Sequence, residues 1–131
     1  MKHLFTILGY MLVSFAVQGG SHFVINTDFY AGIPFMRPDA IIPMGLATMV
    51  LQGLILSLAL ERLGGANPTL RDGMVVAAGF GLFLASYIAV ASPAKYAVPF
   101  IPAWMLVEGL NSLVQFVLVG LVIGLIHRRM A

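Results

Sequence analysis

Cysteine is absent from the chain and charge is nearly so: seven Lys and Arg with five Asp and Glu make up only 9% of 131 residues. The first absence excludes disulfides, thiolate metal sites and Cys-x-x-Cys redox chemistry. The second excludes a soluble globular surface, on which roughly a quarter of residues are charged. A pI near 9.3 resting on seven basic residues reflects membrane topology rather than a polyanionic partner, so no nucleic acid is expected. Neither a G-x-S-x-G element nor a Gly-rich phosphate loop occurs, and no H-x-x-x-H or E-x-x-H pair supplies helical metal ligands. The residues therefore indicate no metal and specify no cofactor.

What is present is apolar: 60% of residues are hydrophobic and the mean hydropathy is +0.99. Four apolar runs, at 4–25, 41–60, 73–92 and 103–126, each approach the ~20 residues that a helix needs to cross hydrocarbon. They predict an all-α integral membrane protein, one domain over 1–131, with four transmembrane helices in an up-down-up-down bundle. The first run resembles a signal peptide, but Gln18-Gly19-Gly20 is a poor cleavage site, so an uncleaved span is expected. All seven prolines fall in connections or at the starts of spans, where a missing N–H is tolerated. The connection 26–40 holds Asp28, Tyr30, Arg37 and Asp39 among apolar residues and reads as an interfacial outer loop with a short helical turn. Lys2, Arg62, Arg71, Arg128 and Arg129 share one side, against Arg37 and Lys95 on the other. The imbalance predicts cytoplasmic termini, N-in and C-in, with a bacterial inner membrane as the expected location.

Glu108 most needs an explanation, because a carboxylate at membrane depth costs roughly 3 kcal/mol on insertion scales. Asn111 and Gln115 share its helical stripe, and Trp104 lies one turn before it. In the first span Tyr10, Ser14, Gln18 and His22 recur every four positions, on one slowly drifting face. Counted inward at 1.5 Å per residue, His22, Glu108 and Tyr87 lie roughly 5 to 8 Å deep. Gln18, Thr48 and Asn111 follow at about 10 to 12 Å, and Ser14, Gln52 and Gln115 at about 15 to 18 Å. Residues 55–60 and 117–126 are almost wholly apolar. The pattern predicts a polar funnel that opens outward and a dry cytoplasmic half, which disfavours a channel.

Each polar residue also has a structural reading. The amides and Thr48 can serve as interhelical hydrogen bonds, His22 can cap carbonyls, and Glu108 can pair with Lys95 or Arg37. Arg37 with Asp39 reads as an ion pair that orders the loop. Ala77, Gly81, Ala85 and Ala89 form a small-residue edge for a neighbouring helix, and Gly120-x-x-x-Gly124 reads as helix packing or a dimer contact. The methionines read as packing.

In size and span number the chain is similar to small four-helix membrane families, including small multidrug exporters and membrane glutathione-linked enzymes. The exporters' glutamate in the middle of the first span is replaced here by Ser14 and Gln18, so the resemblance is one of architecture and assigns no function. The leading expectation is a non-enzymatic protein of the lipid bilayer that binds a small ligand, lipid or partner subunit through an outward-facing polar pocket. Glu108, His22, Asn111, Gln18, Gln115, Gln52, Tyr87 and Trp104 would form that pocket. A membrane-protein partner or a second copy of the chain fits the same reading. The alternative is a proton-coupled transporter using Glu108, and the third is a membrane-embedded enzyme using His22 and Glu108.

Overall fold

The computed structural model describes all residues from Met1 to Ala131. It is entirely helical. Four helices are long and apolar enough to cross a membrane: α1 (Lys2–Ile25), α3 (Ile42–Gly64), α4 (Leu70–Lys95) and α5 (Ile101–Arg129). A short helix, α2 (Thr27–Ala31), lies in the first connection, where the sequence predicts a single interfacial turn. The ends of the long helices fall within four residues of the predicted runs.

Only 28 of 131 residues are buried, and the exposed ones include Leu12, Leu82 and Phe83, each more than 70% accessible. An outer surface of this kind suits lipid and not water. Around the bundle, α1 packs between α3 and α5, α4 packs between α5 and α3, and the α4–α5 contact is the most extensive. Both termini lie at one end, where Thr6 and His127 meet; the 26–41 connection and α2 lie at the other. The main apolar cluster, Tyr10, Leu56, Leu60, Val76, Ala77, Phe116, Val119 and Ile123, fills the half nearer the termini. A smaller one, Tyr30, Ile33 and Trp104, sits at the loop end.

Lipid offers no hydrophobic drive for helix association, so close backbone approach supplies it. A Cβ added to Gly73 would lie 2.5 Å from the Gly124 Cα and 2.7 Å from the Gly120 carbonyl oxygen. One added to Gly81 would lie 2.5 Å from the Phe116 ring. The small-residue edge of α4 thus begins one turn earlier than the sequence suggests, at Gly73. It receives Gly120 and Gly124, whose role is packing within the chain. At the α3–α4 turn Gly65 takes a φ of +57°, which only glycine adopts freely, and Thr69 with Asp72 forms a reciprocal capping box that starts α4.

Two helices depart from α geometry. Phe15–Gly19 and Ser21–Ile25 wind as π-helix, which turns less per residue than an α-helix and so offsets the drift of the four-residue polar repeat. In α4, Tyr87–Ala91 widens in the same way ahead of Pro93, which has no N–H to give. The Ile88 carbonyl would take its i+5 hydrogen bond from Pro93; instead the Trp104 indole donates to it at 2.8 Å. Trp104 therefore completes α4 rather than lining a pocket.

We predict that Gly73→Ala destabilises the protein by about 1 to 3 kcal/mol, since the added methyl meets the α5 backbone at Gly120 and Gly124. Gly79→Ala, whose Cβ would meet nothing within 4 Å, should instead gain up to about 1 kcal/mol of helix propensity. Reversible unfolding in detergent with a chemical denaturant reads both, and equal effects would refute the close α4–α5 approach.

Candidate functional site

Glu108 is only 5% exposed, yet no cation pairs with it. The ion pairs of the structure are Lys2–Glu61 and His3–Glu61 at the other end, so the pairing of Glu108 with Lys95 or Arg37 does not form. Its partner is Tyr30 of α2, whose hydroxyl donates to Glu108 Oε1 at 2.6 Å. Tyr30 reaches it because the short α2 folds the loop back over the bundle, where Phe29 and Ile33 pack beside Trp104. Burial first, and then the Glu108 carboxylate, push the Tyr30 phenol above its ordinary value of 10.0. The phenol thus stays a donor at working pH. Its contribution is present below the ordinary phenol value and is lost only as pH rises above about 10.

From Tyr30 the polar contacts continue along α1 and α5. Asn111 Nδ2 donates to Ser21 Oγ at 2.6 Å and lies 3.4 Å from the Tyr30 hydroxyl, while Asn26 Nδ2 donates to the same serine at 2.8 Å. One turn deeper, Gln18 Nε2 donates to Gln115 Oε1 at 2.7 Å and Gln115 Nε2 donates to Ser14 Oγ at 2.8 Å. Tyr10 donates to Gln52 Oε1 at 2.7 Å. The layered residues of α1 and α5 therefore face one another, as their spacing predicts. His22 stacks on Tyr30, with centroids 3.7 Å apart and planes 13° from parallel, and makes no hydrogen bond to Glu108. Tyr30 touches both.

Other expected members lie elsewhere. Tyr87 is 54% exposed on the bundle surface. Thr48 is exposed and bonds only its own helix, through the Met44 carbonyl. Asp28, Arg37 and Asp39 are exposed on the loop, and Arg37 and Asp39 form no ion pair. Three apolar loop residues, Phe29, Ile33 and Met36, hold this segment in their place.

Because α3 splays from α1 at the loop end, a pocket of about 270 Å³ opens between them. Phe15, Phe23, Ile41, Leu46 and Met49 line it, and Gln18 with His22 supplies its polar side chains. Their free atoms define what it recognises. His22 Nδ1 lies 3.0 Å from the Gln18 carbonyl oxygen and must donate to it, which leaves Nε2 free, and Gln18 uses its NH₂ on Gln115, which leaves Oε1 free. In neutral His22 both are acceptors. A larger pocket of about 420 Å³ lies between α4 and α5. Ser112 is its one polar side chain, so it matches acyl chains and no chemistry.

No family model, curated protein or solved structure matches the chain.

The dry half expected near the termini is not dry. Thr6, Ser57 and His127 are each at most 1% exposed there and hydrogen-bond to one another. Thr6 was discoverable, since it continues the every-four repeat of Tyr10, Ser14 and Gln18 by one step. His127 reads as a flanking residue until the bundle covers it, and Ser57 carries no sequence signal. Ser21 and Asn26 were missed because the π turns move them onto the polar face.

Tyr30→Phe should cost about 1 to 3 kcal/mol, because it leaves a buried carboxylate without its donor. Tyr87→Phe should stay within about 0.5 kcal/mol, as surface substitutions do. Denaturant unfolding of the two variants in the same detergent tests the placement, and a reversal of their order would contradict it.

Proposed function

We propose that this integral membrane protein binds a small amphipathic molecule, a lipid included, in the pocket between α1 and the start of α3. The observation that carries the reading is the pair of unpaired acceptors, Gln18 Oε1 and His22 Nε2, in an otherwise apolar recess of about 270 Å³. Such a recess favours an apolar body with a hydroxyl or amine head that donates two hydrogen bonds. The Tyr30–Glu108 bond, Asn111 and Gln115 act behind the lining: they orient His22 and Gln18 and do not themselves meet the ligand. The excess of Lys and Arg at the end with the termini supports cytoplasmic termini, which turns the pocket outward.

A second reading, proton-coupled transport, draws support from Glu108 itself, a buried carboxyl without a cation that could exchange its proton as Tyr30 releases it. It predicts that Glu108→Gln abolishes pH-driven uptake into proteoliposomes while the fold persists.

For the binding reading, native mass spectrometry after purification in mild detergent should show a retained small molecule or lipid. The double variant Gln18→Ala with His22→Ala should lose most of it, with helicity by circular dichroism unchanged. Wild-type protein as empty as the variant would overturn the proposal.

A further inference from the structure

The end of the bundle that holds the termini carries Lys2, Arg62, Arg71, Arg128 and Arg129 against two carboxylates, Glu61 and Asp72. Both carboxylates are already engaged. Glu61 takes Lys2 at 2.6 Å and His3 at 3.5 Å, and Asp72 Oδ2 accepts from the Thr69 amide at 2.8 Å and from its hydroxyl at 2.7 Å. None of these four arginines forms an ion pair. For three of them the helix itself gives a reason: Arg62 lies in the last turn of α3, and Arg128 with Arg129 in the last turn of α5, where the helix dipole favours a cation. Arg71 has no such reason, because it stands in the first turn of α4, beside the positive end of that dipole.

At spacings of three and four, Arg71, Met74, Ala78, Leu82 and Ala85 share one face of α4. The last four line the recess of about 420 Å³ between α4 and α5, with Leu113 and Val117 on the opposite wall. Its floor is low because Gly81 lets the Phe116 ring lie against α4, and a Cβ on Gly109 would meet nothing within 4 Å. Leu82 and Leu113 are 74% and 61% exposed, so the groove opens sideways to lipid. At 1.5 Å per residue it begins about 4.5 Å inward of Arg71 and ends about 21 Å inward. One leaflet of hydrocarbon is about 15 Å deep, so the groove covers the depth of a lipid tail whose head is level with Arg71.

We propose that this face binds an anionic phospholipid of the leaflet on the termini side, with a tail in the α4–α5 groove and its phosphate on Arg71. The guanidinium presents paired N–H donors that a phosphate accepts in bidentate fashion. The rest of the head decides the class. The ammonium of a zwitterionic lipid would find no free carboxylate at an end that also carries Arg62, Arg128 and Arg129, and Leu70 packs on Gly124, one turn from Arg128. A head without a cation meets only attraction there. The site is distinct from the α1–α3 pocket in chemistry as well as in place: that pocket offers acceptors at the loop end, whereas this one offers donors at the other.

Native mass spectrometry of the delipidated full chain in detergent, titrated with dioleoyl phosphatidylglycerol or dioleoyl phosphatidylcholine, tests this through the affinity for the first lipid bound. Wild-type protein should prefer the phosphatidylglycerol. Arg71→Gln, an exposed change that leaves the bundle intact, should weaken phosphatidylglycerol about fivefold and reduce the preference accordingly. Ala78→Phe, which fills the groove and keeps Arg71, should weaken both lipids. The double variant Gln18→Ala with His22→Ala should change neither, which separates this site from the α1–α3 pocket. Equal affinity of wild-type protein for the two lipids overturns the proposal. So does an Arg62→Gln effect as large as that of Arg71→Gln, the mark of diffuse surface charge, and so does phosphatidylglycerol binding that survives Ala78→Phe or is lost in the double variant.

Discussion

In a bundle wrapped by lipid, a buried polar side chain has only other side chains and backbone to satisfy it, and the hydrogen bond from Tyr30 to Glu108 is where that constraint acts most strongly. The carboxylate lies inside α5 with no cation near it, so a phenol from the first connection must serve. That requirement folds α2 back over the loop end and draws Phe29, Ile33 and Trp104 into one apolar cluster around the pair. His22, stacked on the same phenol, is thereby held at the edge of the pocket, and a loop that would otherwise lie on the membrane surface becomes part of the site.

The same constraint explains the two irregular helices. Gly19-Gly20 weakens α1 enough for π turns to form, and these turns keep Gln18 and Ser21 directed at Gln115 and Asn111 where an ideal helix would rotate them toward lipid. In α4 the cause is Pro93, and the carbonyl that it leaves unpaired is answered by the Trp104 indole. Both departures lie at the loop end. Near the termini, regular helices meet through glycines, and the polar groups there are compact hydroxyls and imidazoles.

The bundle is therefore close-packed at one end and open at the other. The glycine contacts of Gly73, Gly120 and Gly124 clamp α4 to α5, and Ile7 of α1 lies where a Gly53 side chain would stand on α3. Past Met49 toward the loop, α3 stands apart from α1 across the pocket. A pocket forms there, and its polar wall is what remains of the α1 stripe after Gln115 has taken one end of Gln18.

Much of this was legible from residue order alone, because lipid imposes lengths and periods that a chain must obey. The four apolar runs, the prolines between them, the small-residue edge of α4 and the facing polar rows of α1 and α5 all follow from 1.5 Å of rise and a near four-residue repeat. Only the folded bundle decided which side of each helix meets a neighbour. Thr48 and Tyr87 have the composition of site residues but point outward; His127 and Ser57, which read as flank and filler, lie at the centre. The physical reason is that a helix carries its depth in its sequence, whereas its rotation is set by contacts with other helices, and a single π turn is enough to change it.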